Sequence, residues 1–297
     1  VLEAAVPVRP PYRLDLTAVV LRRLSTNVVD VFDGRVYRRL LGDPRAPVLL
    51  SVEQTAPDAL SVRLEGPGAD ALHPDAIVRR ALGTDVDLAP FYAGTASVPW
   101  LDAIARAARG VKPPRYPSLW EAVCNAVVYQ QVSIHAAGAI LRRVIERFSA
   151  AADAGGVRLF AFPSPQTLLD ADAADLRAAG LSVNKVTSLK AVGAAIESGE
   201  LDEAALAPLP TPELLEALVA HRGIGPWTAA VVALRGFGRL DVFPMKDSGV
   251  AAALRALSGD PALTSEPIID ALRPQQGMLY YHLLLGRLNA TGEIALA

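Results

Sequence analysis

At 297 residues, 52% hydrophobic and 20% charged, with 31 acids against 29 bases, the chain is composed like a folded protein with a real core and unlike a disordered one. Apolar runs such as "AAVVALRGF" stop well short of the roughly 18 residues a membrane span needs, and no basic-then-apolar leader opens the sequence, so a cytoplasmic compartment is the expectation. The single cysteine, Cys124, excludes an intramolecular disulfide and any cysteine-ligated metal cluster.

In chain order, "LDLTAVVLRRL" (14–24) has the spacing of an amphipathic helix. "PVLLSVEQ" (47–54) and "ALSVRLEG" (59–66) have the β-type apolar pattern of strands, and Asp/Pro-rich turn material separates them. "PDAIVRRALG" predicts a second helix that starts on Pro74 and stops before Gly83. Residues 1–96 are therefore expected to form a mixed sheet-and-helix unit. No glycine-rich phosphate loop follows a strand, and Gly66-Pro67-Gly68 is a turn signal.

From Pro99 onward strand signals nearly vanish, and residues 97–297 are expected to be a larger, all-helical region, giving an α+β chain overall. "VKPPRYP" (111–117) is a stiff proline-rich connector near its start. Between Ser97 and Ser149 seven basic residues face three acidic ones, a local field that suits phosphate contact or simply solvated helix faces. "SLWE" (118–121) fits a capping box, with Ser118 and Glu121 satisfying free amides at a helix entrance. "SPQTLLDA" and "TPELLEALVAH" each show a Ser or Thr cap, a proline at the first helical position, and leucines at helical spacing.

The second of those helices runs to His221. The chain then turns through Arg222-Gly223-Ile224-Gly225, and another helix opens at Pro226. Glycines there permit positive φ and leave nothing between the backbone and an approaching group. The new helix presents unpaired amides and the positive end of its dipole. With Ile224 packed inward, this helix–turn–helix is either an anion site suited to a phosphodiester or a plain turn. Further on, Asp247 precedes "SGVAAALRALSG", whose closing Gly259 is a terminator. Asp247 reads as an N-cap, and a capped carboxylate also supplies a fixed anion beside a breaking glycosidic bond. Asp241 is the weaker candidate.

These residues, "GIGPWTAAVVALRGFGRLDVF" followed by Asp247, resemble the helix-hairpin-helix base-excision DNA glycosylases, above all the 3-methyladenine DNA glycosylase II (AlkA-type) branch. "PPY" (10–12), "WEAVCNAVVYQQVSIHAAGAILRRV" and "FPSPQ" (162–166) extend the likeness over most of the chain.

The resemblance implies a monofunctional enzyme that hydrolyses the N-glycosidic bond of flipped-out alkylated purines, with oxidised or deaminated purines as the alternative substrates. A non-catalytic lesion-binding protein is the alternative of another class. It implies a hairpin over residues 211–236 whose Arg222, Gly223, Ile224, Gly225 and Thr228 contact the DNA backbone together with Lys246. Asp247 would be catalytic, Gln131 the wedge that fills the vacated stack, with Gln130 beside it. Trp227, Tyr129, Tyr280 and Tyr281 would line the base pocket, while Trp100 and Trp120 belong to the core. Trp227 occupies the slot where strand-cleaving relatives carry a lysine, and Val231 and Leu284 make the pocket less aromatic than the branch's own. His282 is either a core residue or a pocket hydrogen-bonder. No cofactor is expected beyond a monovalent or other metal ion at the hairpin carbonyls. The expected partner is double-stranded DNA containing damaged bases, met by a monomer.

Overall fold

A computed structural model describes residues 1–42, 46–154 and 156–296. β1 (Leu2–Pro7) is followed by α1 (Leu14–Arg22), then β2 (Val31–Phe32), β3 (Val36–Leu41), β4 (Val48–Ala56) and β5 (Ala59–Glu65). The strands form an antiparallel sheet in the order β1-β5-β4-β3-β2. Alternation sets its faces: Leu60, Val62 and Leu64 of β5 point into the core while Ser61 and Arg63 face solvent. β1, β2 and β3 complete the sheet from segments whose apolar pattern is too weak to announce a strand.

α2 (Pro74–Leu82) begins on its proline and ends at Gly83, which has φ +60 and whose added Cβ would meet the Pro113 carbonyl at 2.9 Å. The helices α3 (Ala89–Thr95), α4 (Pro99–Ala107), α5 (Leu119–Tyr129) and α6 (Ile134–Phe148) come next. The region beyond residue 97 is mostly helical rather than all-helical. A hairpin of β6 (Ala151–Ala154) and β7 (Val157–Phe160) interrupts it, and Leu159 packs on Leu40 of β3. That packing makes strands of an alanine-rich stretch with no β signal of its own.

Then come α7 (Pro165–Asp170), α8 (Ala173–Ala178), α9 (Val183–Glu197), α10 (Glu203–Leu206), α11 (Thr211–Val219), α12 (Pro226–Arg235), α13 (Ser248–Ser258), α14 (Glu266–Ala271) and α15 (Met278–Ala290). No helix among the described residues is long and apolar enough to cross a membrane.

Local signals survive unevenly. Ser164 caps α7 through the Thr167 amide, and Gly259 closes α13 with φ +73. α11 instead begins on Thr211 itself with no side-chain cap, because Pro210 occupies the cap position. Only half of the capping box forms. Ser118 Oγ accepts from the Glu121 amide, but the Glu121 carboxylate turns to Arg39 of β3. Arg39 also donates to Asp30 at 2.6 Å, and the Tyr37 hydroxyl donates to the same Asp30 at 2.7 Å. This buried cluster ties the sheet to α5.

α1 is buried on nearly every side rather than amphipathic. Leu14, Ala18 and Leu21 pack with the sheet, and Leu16, Val19 and Val20 with α15. The "VKPPRYP" segment is likewise packed and mostly buried, its Tyr116 amide donating to the Arg235 carbonyl at 2.7 Å.

His282 of α15 is a core residue. It stacks on Phe91 with ring centroids 4.5 Å apart, and its Nδ1–H donates to the Met278 carbonyl at 2.9 Å. Burial presses its pKa from 6.5 down to about 4. The unfolded chain therefore takes up a proton below pH 6.5 that the folded chain refuses until about 4, so stability present above that window is lost as pH falls through it. His282→Leu should lose less stability than wild type between pH 6.5 and 4.5, by about 1 kcal/mol for each pH unit. Urea midpoints at a series of pH values check this, and equal slopes for the two proteins would contradict it.

Candidate active site

The turn between α11 and α12 is built from two glycines doing different things. Gly223 has φ +93, and a Cβ there would stand 2.4 Å from the Ser188 Cβ on α9, so both conformation and close packing require glycine. Gly225 has an ordinary extended backbone and does not use the positive φ that glycine permits. A Cβ at Gly225 would meet nothing within 4 Å, so this backbone faces open space. Ile224 is buried and fixes the turn from within. Gly225 caps α12 without a side chain, which leaves the first amides of the helix facing outward. Arg222 beside them is exposed.

Asp247 is the N-cap of α13. Its Oδ1 accepts from the Val250 amide at 3.0 Å, and its Oδ2 accepts from the Trp227 indole Nε1 at 3.0 Å. Trp227 is the second residue of α12, so the carboxylate and the hairpin are joined by one hydrogen bond. Both carboxylate oxygens are held, and the amides and dipole of α13 favour a negative charge there. The side chain is only partly buried and faces a cleft.

That cleft holds about 1110 Å³ and takes Gly225, Trp227 and Thr228 from the hairpin, Lys246 and Asp247 from the following loop, and Tyr129, Gln130 and Gln131 from the end of α5. Tyr280 reaches it from α15. Tyr281, expected in the pocket, does not. One residue along a helix turns the side chain by about 100°, and Tyr281 is fully buried with Arg235 over its ring. Gln130 is committed as well: its Nε2 donates to Thr228 Oγ1 at 2.7 Å and leans toward the Gly223 carbonyl at 3.4 Å. Thr228 Oγ1 is thereby engaged as an acceptor, while its O–H proton remains a donor. Gln131 is exposed on the cleft rim with φ +56, in the break between α5 and α6. Lys246 is exposed with φ +59. Among the described residues no group of three or more His, Cys, Asp or Glu could hold a metal ion.

None of the seven basic residues between Ser97 and Ser149 lines this cleft. They are spent on structure: Arg147 pairs with Asp175, Arg142 with Glu146, and Arg115 donates to the Gly236 carbonyl. The cations at the cleft are Arg23, Lys185, Lys246 and Arg287. Lys185 donates to the Val128 carbonyl at 2.7 Å, near the end of α5, and burial lowers its pKa. Arg287 was visible in principle, since Tyr280, Leu283, Leu284 and Arg287 share one helical face. Arg23 had no sequence signal at all.

The family described as HhH-GPD superfamily base excision DNA repair protein matches residues 124–273. The DNA-3-methyladenine glycosylase of Bacillus subtilis is 29% identical over 173 residues, covering 58% of this chain and 57% of that protein. A Mycobacterium tuberculosis protein named "Probable bifunctional transcriptional activator/DNA repair enzyme AlkA" is 30% identical over 261 residues, covering 86% of this chain and 51% of its own. The chain thus spans about half the length of these curated relatives. Among solved structures, the 3-methyladenine DNA-glycosylase from Archaeoglobus fulgidus superposes with a TM-score of 0.76 at 22% identity, over 96% of this chain and 98% of that one, a likeness of fold. The Schizosaccharomyces pombe 3-methyladenine DNA glycosylase in complex with abasic DNA gives 0.56 at 25% identity, over 71% of this chain and 99% of that one.

Proposed function

Because the chain belongs to the HhH-GPD superfamily of base excision DNA repair proteins, we propose that it is a monofunctional DNA glycosylase that hydrolyses the N-glycosidic bond of alkylated, 3-methyladenine-like purines in double-stranded DNA. One observation carries the reading: Asp247, tethered to the hairpin through Trp227, stands in the same cleft as the open Gly225 face of that hairpin.

A duplex anchored by its phosphates on the Gly225, Trp227 and Thr228 amides, with Arg222 and Lys246 alongside, would bring one sugar to Asp247. A base inside the stack must be rotated out first, which costs a few kcal/mol and less when damage weakens its pairing. Gln131, exposed at the rim, is the wedge that fills the gap. The base then lies against Trp227, Tyr129 and Tyr280, whose faces attract a cationic alkyl-purine by about 0.5–2 kcal/mol. As the bond breaks, the sugar develops oxocarbenium character, and the fixed Asp247 anion stabilises it. Water adds to the sugar carbon. No lysine stands where strand-cleaving relatives carry theirs, because Trp227 does, so the product is an intact strand with an abasic site.

A cation at the hairpin, implied by the resemblance, would find oxygen ligands among the turn carbonyls. The Gly223 carbonyl carries only the long 3.4 Å contact from Gln130 and keeps a lone pair free. Such an ion would supply positive charge that favours a phosphate at the turn. Work as a monomer in the cytoplasm belongs to the same proposal.

The second reading, an oxidised or deaminated purine as substrate, is favoured by the aliphatic lining that Leu283 and Leu284 add to the cleft on the same helical face as Tyr280. Duplexes each carrying one lesion decide between them. Wild type is expected to release 3-methyladenine or 7-methylguanine as free base without nicking the strand. Release of 8-oxoguanine or hypoxanthine alone would reverse the order of the two readings.

A further inference from the structure

Arg23 follows the last turn of α1 and is only 5% exposed, yet it lines the cleft that holds Asp247. Its guanidinium carbon lies 4.2 Å from the centroid of the Tyr129 ring, and its Nη2 has no hydrogen-bond partner. The groups that face it are the phenols of Tyr116, Tyr280 and Tyr129, none of them a carboxylate. In the same core, Arg235 is fully buried. Its Nη2 donates to the Val20 and Leu21 carbonyls of α1, while its Nε and Nη1 are unpartnered. The Arg235 guanidinium lies 4.8 Å from the Tyr116 ring and 5.8 Å from that of Tyr281. A charge withdrawn from water without a counter-ion burdens a fold, and a helix end needs no arginine to close it. Arg23 also sits at φ +62, a strained value for a residue with a side chain. Unpartnered buried groups and strained residues gather at functional sites.

The glycosylase reading gives this charge a task. When the bond from the sugar C1′ to the base nitrogen breaks, its electron pair goes to the base. Water oxygen forms the new bond to C1′ and loses a proton. A neutral base thus departs with negative charge and is protonated afterwards, whereas a base that was cationic departs neutral. A positive charge fixed under the base stabilises the first departure as it happens and opposes the arrival of the second. Tyr129 also has one face turned to the Arg23 guanidinium, which leaves its ring less attractive to another cation.

We propose that Arg23, backed by Arg235, is a specificity-determining residue that shifts the base subsite toward alkylated bases that are neutral before cleavage and away from formally cationic ones. This rests on the glycosylase reading above and offsets the pull of the aromatic faces on cations.

Single-turnover release from duplexes carrying neutral 1,N6-ethenoadenine or cationic 7-methylguanine tests it. Arg23→Gln should lower the neutral-to-cationic rate ratio by about tenfold or more, and Arg23→Lys should restore most of it. A ratio unchanged within twofold, or no rescue by lysine, overturns the proposal. Should Arg23→Gln fail to fold, wild type alone decides. Its rate over spontaneous loss of the same base must be larger for ethenoadenine than for 7-methylguanine, and the opposite order overturns the proposal. Release of neither base by wild type would sink the glycosylase reading and this inference with it, whereas release with an unchanged ratio sinks the role of Arg23 alone.

Discussion

Asp247→Asn should release base from a lesion-bearing duplex about 10²–10³-fold more slowly than wild type in single-turnover assays, the usual loss when one electrostatic stabiliser of a transition state is removed. Asparagine is as good an N-cap as aspartate, so α13 should hold and the melting temperature should stay close to that of wild type. What changes is the second oxygen. The carboxylate accepts from both the Val250 amide and the Trp227 indole, but a carboxamide has one acceptor and must present its NH₂ to one of those donors. The substitution therefore removes the charge and disturbs its tether together. Trp227→Phe keeps the ring in the cleft and removes only the donor, so it should fall by about tenfold, less than Asp247→Asn. Duplex affinity should survive in both, because the phosphate contacts are assigned to backbone amides and exposed cations. A wild-type rate in Asp247→Asn would take this carboxylate out of the mechanism.

Arg39→Met should lower folding stability by about 3–5 kcal/mol, the largest structural effect expected of a single substitution here. Arg39 is only 1% exposed and holds Asp30 and Glu121 together beneath the sheet. Methionine fills a similar volume but leaves two carboxylates buried near one another with no counter-ion. Replacing Asp30 and Glu121 by apolar residues in the same chain should recover most of the loss, since burial of the charges, and not their absence, is the expensive state. Urea midpoints of the single and triple variants check both halves. A single variant within about 1 kcal/mol of wild type would show that the cluster is relaxed or hydrated in solution. Because Glu121 belongs to α5, whose far end carries Gln130 and Gln131, the single variant should also disturb the cleft rim.

How much of this was written in the order of residues depends on the range of the interaction concerned. The ends of α2 at Pro74 and Gly83, the Ser164 cap, the Gly259 terminator and the Asp247 cap are settled by hydrogen bonds and backbone preferences within about four residues of each other. The hairpin is local in the same sense. Which of its two glycines takes a positive φ is not local, since only Gly223 does, pressed against Ser188 of another helix.

Everything that relied on a distant partner stayed hidden. Whether Glu121 completes a capping box or binds Arg39 depends on where β3 returns, 82 positions away. The basic stretch between Ser97 and Ser149 suited either phosphate contact or solvated helix faces, but Arg115, Arg143 and Arg147 are drawn to carbonyls and acids on other elements while Arg142 pairs within its own helix. The β6–β7 hairpin exists because Leu40 offers Leu159 a place to bury.

By itself the sequence determined the helix-turn-helix, the capped aspartate beyond it and the sheet-then-helices order, since each is specified by turn chemistry, capping or apolar period within a short window. Only the tertiary structure decided that Trp227 grips Asp247, that Tyr280 and not Tyr281 faces the cleft, and that Arg23 lies beneath it. Those outcomes depend on which face of each helix is covered when the chain packs, and packing is a property of pairs of segments that no single window contains.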